Sequence, residues 1–344
     1  MKKNILLVVV DCMRRDYAYQ KMPRLQAWSK DKFIFKNHWA TSHCTDPTMT
    51  HMLTGKHPDE IGLYSMMYED TTYTIPDGVE LIAQAAARCG YHTGMLSGNG
   101  RWYARGQEQY VDTYQRTGRE IVAWAGEMMR SMPQPWFVTV HLVDMHKAYQ
   151  GGTYQAAADY EDQMLKSLLE TAPLYGNVNI LLTADHGEAL GEHDISGHGY
   201  GLWDCITHIP MIVADDERSG TTNALTDSGT VHEILRGWMI GDKLRVRRDK
   251  KYVYQVGVTS SLGVLYWHYG VVYPDKAQYI LCRYEDKQVA ICVPDEESII
   301  GKDPDPITVF RNRNAMYGPE LLGLDDTLPP DVEQRLKDLG YFDE

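Results

Sequence analysis

An apolar run of strand length that breaks off into a cluster of ionisable side chains constrains this chain more than any other feature. Residues 177–183 are mostly apolar and too few for an ordinary helix, and Asp185, His186 and Glu188 follow almost at once. Such a run fits a buried parallel strand, and the carboxyl edge of an open α/β sheet is where ligands sit. Asp185 and His186 offer an oxygen and an imidazole nitrogen, a donor pair suited to zinc or manganese. Taken alone they are equally a helix cap followed by a surface histidine. The pattern recurs, which tips the balance. Residues 5–10 are continuously apolar and end in Asp11, and residues 136–143 run into Asp144, Met145 and His146.

Between these runs lie segments of helical periodicity, at residues 78–89, 119–132 and 156–171, closed by Gly90 or by Pro133 and Pro135 where a stop is needed. Residues 22–30 predict a short helix, 33–35 a short strand and 91–97 another strand, giving a βαβ rhythm. Residues 187–201, rich in Gly, His and acids, read as an irregular loop. Beyond residue 215 the texture changes: a helix over 231–240 is followed by strand patterns at 252–258, 264–269, 278–284 and 288–293, with a turn at Asp286-Lys287. Residues 301–314 read as loop and 331–339 as a terminal helix. The expected fold is therefore α/β, with a mostly parallel central sheet and a small C-terminal antiparallel sheet carrying a helix. The expected division is a catalytic domain over 1–215, its core continuing to about 245, and a small α+β subdomain over 246–344.

Charge narrows the partners. A net charge of -13 argues against affinity for nucleic acid or anionic membrane surfaces, so an anionic substrate must meet a local positive site, most simply a metal. The six cysteines, Cys12, Cys44, Cys89, Cys205, Cys282 and Cys292, form neither a CxxC pair nor a disulfide framework, which predicts free thiols in a reducing compartment. The apolar run after Met1-Lys2-Lys3 is short and is interrupted by Asp11, so it reads as a first strand rather than a signal peptide. No other run is long enough to span a bilayer, and the expectation is a cytoplasmic protein without a membrane anchor.

Residues 40–55 open with hydroxyl side chains and close with a helix ending at Gly55. Most of these hydroxyls are expected to be caps, but a helix N-terminus is also an anion site, so one can be a nucleophile facing a phosphate or sulfate. Strand ends on one edge bring Asp11, Thr45, Asp185 and His186 within reach of one another. Two carboxylates and an imidazole then hold a divalent cation that lowers the pKa of the Thr45 hydroxyl and neutralises an ester oxygen.

Six stretches now point the same way: residues 4–11 with Arg14 and Asp16; Thr45-Asp46-Pro47-Thr48 running to Gly55; Gly90-Tyr91-His92-Thr93; residues 141–146; residues 183–188 with Gly191-Glu192-His193 and Gly197-His198-Gly199; and Leu336-Lys337-Asp338-Leu339-Gly340-Tyr341. In this order they resemble the sulfatase branch of the alkaline phosphatase superfamily across essentially the whole chain. The resemblance implies an alkaline phosphatase-like sandwich fold, with Asp11, Thr45, Asp185 and His186 around a metal (Zn, Mn or Ca) and Thr45 as nucleophile. It places His146 and His198 where ester oxygens are bound or the leaving group is protonated, and Asp144, His146 and His198 as a possible second cation site. Arg14 and Asn99 fall behind these groups.

The departures carry equal weight. Thr45 stands where a sulfatase has the Cys or Ser that becomes formylglycine, Met49 stands at the arginine position, and Cys44 is one residue out of register, so no formylglycine is expected. Cys12 replaces the second acid of an Asp-Asp pair. An unmodified Thr nucleophile is similar to the phosphodiesterase, phosphonate hydrolase and phosphoglycerol transferase members, which favours phosphate or phosphonate esters over sulfate esters. The competing readings are a sulfuric ester hydrolase, a phospho-group transferase and a non-catalytic binding protein. The expected substrate is a small-molecule or glycan ester and the chain is compatible with a homo-oligomer; aromatic-rich residues 64–73 and 252–273 fit either substrate stacking or packing.

Overall fold

The computed structural model describes residues 2–64, 75–98, 101–148, 152–199, 201–244, 246, 249–261, 264–276, 278–284 and 287–292. Asn99, Asp286, the expected loop at 301–314 and the expected helix at 331–339 lie outside them.

An eight-stranded sheet organises the molecule. Its strands are β1 (Asn4–Val10), β2 (Phe33–Phe35), β3 (His92–Ser97), β4 (Gln109–Asp112), β5 (Trp136–Leu142), β6 (Val178–Ala184), β7 (Met211–Ala214) and β8 (Gly220–Thr222), in the order β8-β2-β7-β6-β1-β5-β3-β4. Five neighbours, β4, β3, β5, β1 and β6, run parallel, and β7 is antiparallel to both β6 and β2. Helices cover both faces, so β1 and β5 are buried at every residue, which is why β1 reads as an unbroken apolar run and β5 as one interrupted only by Thr139 and His141.

Register decides where the chemistry falls. Val10 pairs with Leu142 on one side and with Ala184 on the other, so β1, β5 and β6 end level and deliver Asp11, Asp144 and Asp185 to one edge. A one-residue slip would turn each carboxylate to the opposite face.

Several elements differ from the sequence pattern. The helix expected from residue 78 begins at Ile82, with Leu81 at its N-cap, and β4 carries too few apolar residues to announce itself. The loop over 187–201 contains a two-residue strand pair, Ala189–Leu190 with Ser196–Gly197. The main sheet continues past residue 215, since β8 pairs with β2, and the helix Ser228–Met239 packs on the helix Thr45–Thr54.

The second sheet, β9 (Val253–Ser261), β10 (Val264–Val272), β11 (Gln278–Tyr284) and β12 (Lys287–Cys292), is antiparallel throughout. It docks on the segment before the helix Thr45–Thr54: Val256 N donates to Thr41 O at 2.9 Å and Gln255 Nε2 to Ala40 O at 2.8 Å. Its aromatics, Tyr254, Trp267, Tyr269 and Tyr273, pack with Tyr64 in a buried cluster.

Candidate metal centre and nucleophile

The helix Thr45–Thr54 is buried along its whole length and ends at Gly55, whose φ of 69° is the left-handed conformation that glycine takes without strain. At its other end no side chain caps the first turn. The hydroxyls there are thus not N-caps: Thr41 Oγ1 pairs with His51 Nδ1 at 2.7 Å, and Thr48 Oγ1 reaches Ser42 O at 3.4 Å. Thr45 is the first residue of the helix, and its Oγ1 lies 3.3 Å from His186 Nε2.

His186 has its tautomer set locally. Its Nδ1 lies 2.9 Å from the Gly187 carbonyl and must carry the proton to donate there, which leaves the lone pair on Nε2. That atom sits 3.7 Å from Asp11 Oδ1 and 3.7 Å from Asp185 Oδ2. Both oxygens are buried and have no hydrogen-bond partner among the described residues. Asp185 Oδ1 meanwhile accepts from the His186 backbone N–H at 2.8 Å. Burial pushes the Asp185 carboxyl up, but His186 and His141 beside it outweigh burial and hold it below the ordinary carboxylate range. Buried carboxylate oxygens without donors are costly, and a divalent cation resolves that cost. Asp11, Asp185 and His186 bring ligand atoms within 4.8 Å of one another, so this donor set fits the metal of the sequence expectation.

His198 and His146 flank the cluster. The His198 ring lies 4.2 Å from that of His186 and 4.9 Å from that of His146 between centroids. Glu188 Oε1 holds His198 Nδ1 at 3.1 Å; burial alone would lower the imidazole pKa, and this carboxylate outweighs burial and raises it. Burial takes His146 down to about 4, so that ring is neutral. Arg14 braces the loop carrying Glu188, donating to the Glu188 carbonyl at 2.9 Å and to Glu192 Oε1 at 2.7 Å.

Asp11, Thr45, Asp185, His186, His146 and His198 are therefore brought together. Asp144 is not in any of the cation-sized groups among the described residues; a Cβ on Gly118 would lie 2.6 Å from its Oδ2, so that carboxylate lies against the helix Gly118–Ser131. Three further participants had been given no site role from sequence. His141 Nε2 stands 3.7 Å from Asp185 Oδ2, Tyr103 donates to Asp46 Oδ1 at 2.8 Å beside Thr45, and Cys12 Sγ lies 3.5 Å from His198 Nδ1. His141 is a polar residue inside the otherwise mostly apolar β5 and Cys12 stood out as a departure from an acid pair, while Tyr103 gave no signal.

A parallel sheet delivering acids and imidazoles to the N-terminus of a buried helix is the architecture of an alkaline phosphatase-like ester hydrolase. The family model described as Sulfatase matches residues 3–235, well over half of the chain, and the protein belongs to the sulfatase family of that superfamily, hydrolases of sulfate and phosphate esters. Similar solved structures include BT1596, a 2-O GAG sulfatase (TM-score 0.73, 12% identity, covering 96% of this chain and 96% of that one). They also include the phosphonate monoester hydrolase SpPMH from Silicibacter pomeroyi (0.66, 14%, 95% and 98%) and that of Agrobacterium radiobacter (0.61, 12%, 92% and 96%). At these identities the likeness is one of fold. No curated protein matches the chain in sequence. Among the described residues no helix is long and apolar enough to cross a membrane.

Proposed function

We propose that the protein is a metal-dependent hydrolase of phosphate or phosphonate esters that works through a covalent ester on an unmodified Thr45. The observation that carries this reading is Thr45 Oγ1 at 3.3 Å from His186 Nε2, beside two buried carboxylate oxygens that have no donor among the described residues. Asp11, Asp185 and His186 hold the cation together with Thr45. Once bound, a divalent cation lowers the pKa of the Thr45 hydroxyl and neutralises a non-bridging ester oxygen. The N-terminus of the helix Thr45–Thr54, uncapped by any side chain, presents backbone N–H groups and a positive dipole end to the anionic ester.

Thr45 Oγ, its proton already released to solvent, attacks phosphorus as the bond from phosphorus to the ester oxygen breaks, and that oxygen departs with a proton. His198, whose pKa is raised by Glu188, supplies that proton, and in the second half-reaction takes one from the water that releases Thr45. His141 steadies Asp185 and Arg14 steadies the Glu188 loop. The small antiparallel sheet forms the separate C-terminal subdomain and backs the segment leading into Thr45. A small molecule or glycan carries the ester.

Parallel assays of the metal-loaded protein on aryl phosphate monoesters, phosphodiesters, phosphonates and sulfates, with Thr45→Ala as control, test the reading. Diester or phosphonate turnover that disappears in the variant is expected. Sulfate turnover that survives in the variant would instead move the nucleophile to another residue, Cys44 first.

A further inference from the structure

Cys12 occupies the first turn beyond β1 with a φ of 60°, a left-handed conformation uncommon outside glycine, and its thiol is fully buried among acids and imidazoles. Asp11, Cys12 and His146 bring ligand atoms within 4.8 Å of one another, as do Asp11, Asp185 and His186, and also Cys12, His186 and His198. Asp11 thus belongs to two cation-sized groups at once. Its Oδ1, 2% exposed as a residue and without a hydrogen-bond donor among the described residues, points to a positive ligand independently of the thiol.

We propose that Cys12, Asp11 and His146 form a second metal position that takes a zinc-class cation, with Asp11 shared between it and the position formed by Asp185 and His186. This rests on the reading of the cluster as a metal centre. One thiolate, one imidazole and one carboxylate make a three-ligand set of the kind that binds zinc and leaves a coordination place open, and a sulfur donor disfavours calcium and magnesium. Binding displaces the Cys12 proton to solvent, with the sulfur lone pair going to the cation. The second position differs from the Asp144-containing set that the sequence suggested, and the difference follows from Asp144 lying against Gly118. Two adjacent cations clamp the two ends of an in-line displacement at phosphorus, which suits a phosphoester substrate.

The test is metal binding read by spectroscopy, independent of turnover. The full-length apoprotein is titrated with cobalt(II) and, separately, with zinc under equilibrium dialysis, for the wild type, Cys12→Ser and Cys12→Asn; asparagine tolerates the left-handed backbone if serine does not fold. Two ions per chain and a thiolate-to-cobalt charge-transfer band are expected for the wild type. Both variants should keep one tight ion, lose the band, and bind the second zinc at least about tenfold more weakly, the lower end of what losing even an indirect metal contact costs. A wild type that binds one ion without the band overturns the proposal while leaving the metal centre in place, and so does a band that persists in both variants. A wild type that binds neither metal overturns the metal centre and this proposal together.

Discussion

At the scale of single residues, the account rests on Thr45 and on the protonation of His198. Thr45→Ala should cost several orders of magnitude in turnover with folding intact, because a nucleophile and its activating partners act as a unit. Steady-state kinetics beside a circular dichroism spectrum would show it, and a loss of less than about tenfold would remove Thr45 from the chemistry. Glu188 is the partner that raises the His198 pKa against the opposing effect of burial. An acid group must be protonated to act, so activity should fall as pH rises through that raised value. In Glu188→Gln the raising carboxylate is gone, and the alkaline limb of the kcat profile should move to lower pH. An alkaline limb that stays in place would show that His198 does not donate the proton. Asp11, Asp185 and His186 were legible in the sequence because each follows an apolar run directly. Tyr103 was not, since a 3₁₀ turn leaves no periodic trace, and Cys12 showed only as a departure from an acid pair.

At the scale of elements, the level ends of β1, β5 and β6 do most of the positioning, and this too could be read from the sequence once three similar runs were compared. What could not be read was the direction of Asp144. It stands one residue further past its strand end than Asp11 and Asp185 do, with Val143 between, and there the chain turns into the helix Asp144–Ala148 and the carboxylate lies against Gly118. The loop after His186 depends on close backbone approach: a Cβ at Gly187 would lie 2.3 Å from the Cys205 carbonyl oxygen, and Gly187 N donates to Ile206 O at 2.6 Å. Gly187→Ala should therefore destabilise the fold by about 1–3 kcal/mol, the range for overpacked positions, and weaken metal binding by shifting His186. Denaturant unfolding checks the first effect and dialysis the second; an unchanged midpoint would show that the loop yields without cost.

For the molecule as a whole, the family match and the docking of the antiparallel sheet on residues 40–41 explain why the fold class was visible in the chain order of its elements. The same packing buries many imidazoles. Burial takes His38, His51 and His208 down to about 3 and His232 and His268 down to about 4. An unfolded histidine accepts a proton below about 6.5, and these folded ones do not until far lower, so the unfolded state binds more protons in between. Stability should fall as pH drops through about 6.5 and go on falling to between 3 and 4. His141 and His198, raised by their carboxylates, act in the opposite sense but are outnumbered. Thermal melts at about pH 7.5 and about pH 5 should differ clearly, and equal melting temperatures would contradict this.

The central claim, that unmodified Thr45 takes the phosphoryl group, is tested most directly by mass spectrometry of the metal-loaded protein quenched during turnover of an aryl phosphonate or phosphodiester. The account predicts a peptide containing residues 44 and 45 with its cysteine intact and the transferred group on Thr45, and no adduct in Thr45→Ala. A formylglycine at Cys44, or the group attached to any other residue, would contradict it.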